Sequence, residues 1–131
     1  MDNVFVDSTI WVEFFKGHDE KYQELLDPLI ENDRIYYNGI IMSELLTGSL
    51  THKEFDFLAG SFDGFHYLES NQKIFRQAGE LGFKLRRKGL TVPLSDLIIA
   101  AHCIAEELEL VSLDKHFKMI SEHFPLKLME L

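Results

Sequence analysis

Residues 92–105, which open on Val92-Pro93 and close on Ile104-Ala105, constrain this chain more than any other stretch. They are apolar on every side of a helix, so that helix must be enclosed by other elements. Pro93 cannot lie deep inside it and Ser95 is a good N-cap, which predicts a start near Ser95 with Asp96 in the first turn. A carboxylate at the mouth of a buried helix has two readings. Either it complements the helix macrodipole, worth about 0.3–1 kcal/mol, or it belongs to a site that other acids complete.

The remaining sequence alternates strand-like and helix-like segments. Asn3-Val4-Phe5-Val6 is a short β-prone run, followed by the polar turn Asp7-Ser8-Thr9 and a helical pattern from Ile10 to Phe15. Asp7 therefore falls at the carboxyl end of a strand, the edge where open α/β sheets bind ligands. Its other role would be an N-cap, which Ser8 or Thr9 can also supply. Gly17 closes this helix, and Asp19 caps a second with Tyr22, Leu25, Leu26, Leu29 and Ile30 at helical spacing. Pro28 within that pattern predicts a kink or a break. Arg34-Ile35-Tyr36-Tyr37-Asn38 reads as a second strand and residues 39–48 as a short buried helix. Glu44 is either on the one wet face of that helix or directed toward Asp7.

Thr51 caps a further helical stretch in which Phe55, Leu58 and Phe62 share a face, and Phe65-His66-Tyr67-Leu68 reads as a third strand. Residues 71–88 form the longest amphipathic helix, with Ile74, Ala78, Leu81 and Leu85 on its apolar face. It ends in Arg86-Arg87-Lys88-Gly89. Cations followed by Gly suit a helix C-terminus, yet these three are also the densest basic cluster and, if a phosphate backbone is bound anywhere, the leading candidates to hold it. Glu109-Leu110-Val111-Ser112-Leu113 predicts a fourth strand, with Asp114 just past it opening a short helix on which His116 is expected to face solvent. Residues 125–129 predict a last, edge strand. No repeat, low-complexity tract or linker interrupts the series.

With 131 residues, 46% of them hydrophobic, the chain is expected to form one domain, residues 1–131, that buries its core without disulfides. The lone Cys103 falls on the apolar helix, where a small core residue in a reducing compartment is expected. No cationic leader opens the sequence and no apolar run approaches the roughly 20 residues of a membrane span, so a soluble, cytoplasmic protein is expected. The net charge of −9 disfavours a passive nucleic-acid coat. It does not disfavour an enzyme, because clustered acids are what a hard divalent cation requires.

Alternating strands and helices imply a mostly parallel sheet covered on both faces, with every strand's carboxyl end along one edge. Asp7 and Asp114 fall on that edge directly, and Glu44 and Asp96 lie on helices that leave it. Four carboxylates meeting there repel one another unless protonated or neutralised by a cation, and oxygen ligands select Mg²⁺ or Mn²⁺. The chemistry that follows is metal-assisted hydrolysis of a phosphodiester.

Val6-Asp7-Ser8-Thr9, Ser43-Glu44-Leu45-Leu46-Thr47-Gly48, Ser95-Asp96-Leu97-Ile98-Ile99-Ala100-Ala101 and Ser112-Leu113-Asp114-Lys115-His116-Phe117 resemble the successive motifs of PIN-domain proteins, particularly VapC-type toxins. The resemblance runs through nearly the whole chain. It implies a three-layer α/β/α sandwich, an Mg²⁺- or Mn²⁺-dependent endoribonuclease, a homodimer, and inhibition by a VapB-like antitoxin. It carries over Asp7, Glu44, Asp96 and Asp114 as the acidic site, with Asp7, Asp96 and Asp114 on the metal. Ser112 stands where Thr is frequent and Ser8-Thr9 where Thr-Ser is frequent, so the supporting hydroxyls of Ser8 and Ser112 are kept. Phe14, Phe15, Phe55, Phe57 and Phe62 exceed what two short helices need for one core, so either some are partly exposed and form an aromatic face for the antitoxin, or they are wholly core or line a homodimer.

Three other readings compete. A receiver-like Mg²⁺-binding signalling module needs an Asp at the end of its third strand, where this chain has Tyr67-Leu68-Glu69-Ser70, its nearest Asp56 being in a helical stretch. A haloacid-dehalogenase-type phosphatase needs a second Asp two positions after Asp7, where Thr9 stands. A catalytically inactive PIN-fold interaction protein would not need the full acid set.

Overall fold

In the computed structural model, which describes residues 2–131, the strand Val4–Val6 (β1) lies at the centre of a five-stranded, wholly parallel sheet. Ile35–Asn38 (β2) pairs with it on one side, Val4 opposite Ile35, and Glu109–Val111 (β4) on the other, Val6 opposite Val111. His66–Leu68 (β3) and Lys127–Leu128 (β5) form the two edges, giving the order β3-β2-β1-β4-β5. Val4, Phe5 and Val6 have no exposed surface, as a central strand covered on both faces requires. The architecture is the expected three-layer α/β/α sandwich. All strands are parallel, so their carboxyl ends share one edge.

The helices are Ser8–Lys16 (α1), Glu20–Glu31 (α2), Gly39–Thr47 (α3), His52–Ser61 (α4), Gln72–Arg87 (α5), Leu94–Ala105 (α6) and Lys115–Ser121 (α7). Asp19, Thr51 and Asn71 cap α2, α4 and α5 with side-chain hydrogen bonds, and Gly17 closes α1 at φ 68°. Pro28 neither breaks nor ends α2. It falls in the last turn, where Asn32 covers its carbonyl with both backbone N–H (3.1 Å) and side-chain amide (2.7 Å). Ser95 is not an N-cap. The helix begins one residue earlier, because the Pro93 carbonyl already accepts from the backbone N–H of Asp96 and of Leu97, both at 3.1 Å. The fourth strand stops at Val111, which leaves Ser112 and Leu113 in the turn that follows.

Every residue of α6 from Asp96 to Cys103 is buried, as an apolar helix with no wet face demands. Each fully buried Leu or Ile there contributes about 1.5–3 kcal/mol. α6 packs against α5 at Gly82, where an added Cβ would come within 2.8 Å of Leu97 Cδ1. That absence of a side chain lets the first turn of α6, and Asp96 with it, lie close to α5. His102 is buried in the same helix and satisfied by Ser70 Oγ at 2.9 Å, and burial holds its imidazole below the ordinary pKa. Cys103 is a core residue, and burial drives its thiol pKa up.

The aromatic residues divide. Trp11 is buried with Phe62 (5.0 Å between ring centroids), Phe65, Phe14 and Phe15 around it. Phe62 is thus wholly core, while Phe55 and Phe57 of α4 remain 43% and 61% exposed. Asp56 is exposed on the same helix and far in sequence from any strand end, which removes the receiver's essential feature.

Candidate metal centre

β1 delivers Asp7 to the carboxyl edge, 3% exposed. Its side chain caps nothing. Instead its Oδ2 accepts from the Thr9 hydroxyl at 2.9 Å and from the Ser112 hydroxyl at 2.6 Å. Ser112 also accepts the backbone N–H of Asp114 at 2.9 Å, and Thr9 accepts that of Leu113 at 3.1 Å. Two hydroxyls therefore tie the turn after β1 to the turn after β4 and fix one oxygen of Asp7. A buried carboxylate rotamer held from two sides is pre-organised, which is what a ligand or catalytic acid needs.

Asp114 caps α7 by accepting the backbone N–H of His116 at 2.9 Å. The cap turns the first residues of α7 back over the edge, so His116 does not face solvent as expected. Its Nδ1 lies 2.9 Å from Asp114 Oδ1 and 3.1 Å from Asp96 Oδ2, at ion-pair distance but out of line for a hydrogen bond. Asp96, Asp114 and His116 each offer a ligand atom within 4.8 Å of the others. Asp7 and Glu44 stand outside that tight cluster, yet their charges reach it.

Electrostatics report the crowding. Burial first, then the charges of Asp114 and Asp7, push Asp96 up to about 6, with His116 pulling the other way. Glu44 of α3 is solvent-exposed, so it does occupy the wet face of its helix. It also faces the site: partial desolvation and the charges of Asp7 and Asp96 raise its pKa, with the Ser8 hydroxyl opposing. The two readings of Glu44 are therefore compatible.

Ser8 and Ser112, the two expected supporting hydroxyls, thus act on different acids, Glu44 and Asp7. Thr9 and His116 carry more of the site than their sequence context suggests. Thr9 follows Asp7 by two, where local rules favour a cap, and His116 stands two after Asp114 in the same motif. Arg86 and Arg87 are exposed in the last turn of α5, with Lys88 as its C-cap and Gly89 at φ 79°. They terminate the helix as expected, and the short connection 88–93 brings that terminus near the start of α6. The Arg87 guanidinium lies 5.4 Å from the Phe83 ring.

Asp96 makes the ion-free fold pH-sensitive. Its folded pKa of about 6 exceeds the ordinary 3.8, so the native state binds the proton more tightly than the unfolded chain does. The resulting stability is fully present below pH ~4 and is lost as pH rises through ~6, a change of roughly 3 kcal/mol. Denaturant unfolding in EDTA at pH 4 to 7.5 should show this decline in the wild type. The difference between wild type and Asp96→Asn should be flat across the window if the assignment is wrong.

Residues 4–122 match the PIN domain family. The chain is 32% identical over 120 residues to Ribonuclease VapC2 of Rickettsia felis, spanning 88% of this chain and 90% of that protein. Among solved structures it is similar to VapBC2 of Rickettsia felis bound to a promoter DNA fragment, with TM-score 0.80, 28% identity and 96% of each chain covered. It also matches DNA-bound VapBC of Salmonella typhimurium at TM-score 0.81 over 98% of each chain, where 21% identity speaks to the fold alone.

Proposed function

The chain belongs to the PIN-domain family, in its VapC group, and on that premise we propose that it is a metal-dependent endoribonuclease, the toxin of a toxin-antitoxin pair. Residues 1–131 act as a single PIN-like domain, in the cytoplasm; no helix among the described residues is long and apolar enough to cross a membrane. The observation that carries the reading is the convergence of Asp7, Glu44, Asp96 and Asp114 on one sheet edge in a chain this close to a ribonuclease.

The donors suit Mg²⁺ or Mn²⁺. They are oxygen-rich and mutually repulsive, and among the described residues no lysine or arginine pairs with any of the four acids. The buried Nδ1 of His116 between two carboxylates, without an aligned partner, marks the place that a positive charge would fill. Asp7, Asp96 and Asp114 would hold the ion. When bound, it supplies Lewis acidity that acidifies water and offsets charge on the phosphate.

The protein's own groups do the rest. Ser112 and Thr9 hold Asp7 Oδ2, and the backbone N–H of His116 holds Asp114 Oδ1, so neither acid must reorganise as charge develops. Glu44, exposed and with a raised pKa, orients the attacking water or holds the ion through water. Arg86, Arg87 and Lys88 hold RNA phosphates flanking the cut. Incubation of purified protein with total RNA, with and without Mn²⁺, tests the reading. Cleavage is expected only with the ion, and intact RNA under both conditions would sink it.

The partner in this reading is a VapB-like protein, acting on a homodimer of this chain. Exposed Phe55, with Leu46 and Leu50, lines a groove of about 440 Å³ between α3 and α4. A partner segment on that face would direct an arginine to the acids, where it competes with the ion for the same oxygens. Affinity for the partner should fall as Mn²⁺ rises in a titration at several ion concentrations. Metal-independent affinity would remove the pocket-blocking part.

A further inference from the structure

A second groove leaves the carboxylate site at Asp114. It is about 450 Å³ in volume and begins at Ser112 and Asp114, runs along α7, and ends against the C-terminal residues around β5. Its apolar surface comes from Leu113, half exposed, and from the partly exposed Met129, with Phe117 buried beneath. Its α7 wall carries Lys115, Lys118 and Ser121. Both lysines are exposed, and among the described residues neither makes an ion pair. In a chain of net charge −9, two unpaired lysines one helical turn apart are a local pair of cations beside an acidic centre. The acids that share the groove are Asp114, already committed to the site, and Glu130, exposed at the outer rim.

We propose that this groove is a nucleotide subsite of the substrate: it takes the single-stranded RNA nucleotide on one side of the scissile phosphate, its base against Leu113 and Met129 and its outer phosphate at Lys115 and Lys118. This rests on the ribonuclease reading and extends it. The size and mixed lining match the occupant, because a mononucleotide needs a trough of a few hundred Å³ that offers apolar surface to the base and polar groups to the phosphate. The groove is continuous with Asp114, so a strand cut at the acids would leave along α7 past Lys115 and Lys118. The acids alone would repel a polyanion; the flanking lysines and arginines hold it while the ion-loaded centre acts.

The test uses the intact protein with Mn²⁺ and a short single-stranded RNA that it cleaves. Lys115→Gln/Lys118→Gln should raise KM by about tenfold with kcat within about twofold, and should reduce the salt slope of binding by roughly 1.4, that is about 0.7 for each RNA phosphate no longer neutralised. The charge-matched pair Lys16→Gln/Lys73→Gln, at the far ends of α1 and α5, should leave both unchanged, and Lys115→Arg/Lys118→Arg should restore KM. Ser121→Trp, which narrows the trough without altering charge, should raise KM alone. If wild type cleaves but the α7 pair behaves like the Lys16/Lys73 pair, the subsite is wrong and the ribonuclease reading stands. If wild type cleaves no RNA at any ion concentration, the ribonuclease reading fails first.

Discussion

Asp96→Asn is expected to reduce RNA cleavage by about 10³-fold or more, at least 4 kcal/mol of barrier, while the ion-free protein stays folded and becomes no less stable. The two halves have one cause. Asp96 is buried beside Asp114 and Asp7, and that crowding raises its pKa to about 6, so at neutral pH the ionised carboxylate is held at a cost. Asn keeps the shape and removes the charge. Sites retained for function commonly cost stability in this way. Chemical denaturation in EDTA beside a cleavage assay reads both halves. A variant that unfolds yet keeps its specific activity would return Asp96 to the role of a helix-terminus charge.

The sequence is enough to locate that residue and not enough to show its neighbours. Asp7, Asp96 and Asp114 are legible because each follows a β-prone run or opens an apolar helix, and parallel connection puts those points on one edge. The contacts that hold Asp7 are not legible. Thr9 and Ser112 meet over a gap of more than a hundred residues, with hydroxyls 3.4 Å apart, and no local pattern encodes that. His116 departs from its expected solvent-facing position for a related reason: helical spacing in a short helix takes no account of the cap by Asp114, which folds the first turn toward Asp96. The starts and stops of helices differ from expectation where two local rules compete. At Ser95 the serine loses to the preceding proline carbonyl, and at Pro28 the helix runs on for three residues despite the lost N–H, because Tyr22, Leu26 and Leu29 bury its apolar face.

The second large effect is on stability. At an Mn²⁺ concentration about 100 times its dissociation constant, binding to the native state alone adds about 2.7 kcal/mol, a rise of roughly 10 °C in the unfolding midpoint for a chain this size. The gain should be larger at pH 7.5 than at pH 5, because below about 6 the ion must displace the proton from Asp96. Asp7→Asn should lose most of the gain, since its carboxylate, fixed through Oδ2 by Thr9 and Ser112, is one of the three proposed ligands. A midpoint indifferent to millimolar Mn²⁺ at both pH values would leave the four acids without a common ligand.

The central claim is that one set of carboxylates both holds the ion and cuts RNA. It is tested most directly by titrating Mn²⁺ into a single preparation and following thermal unfolding and the rate of RNA cleavage over the same concentrations, for wild type and Asp96→Asn. The two wild-type curves should share one midpoint, and both responses should vanish together in the variant. Cleavage that saturates at an ion concentration unrelated to the stability transition, or that persists in Asp96→Asn, would contradict it.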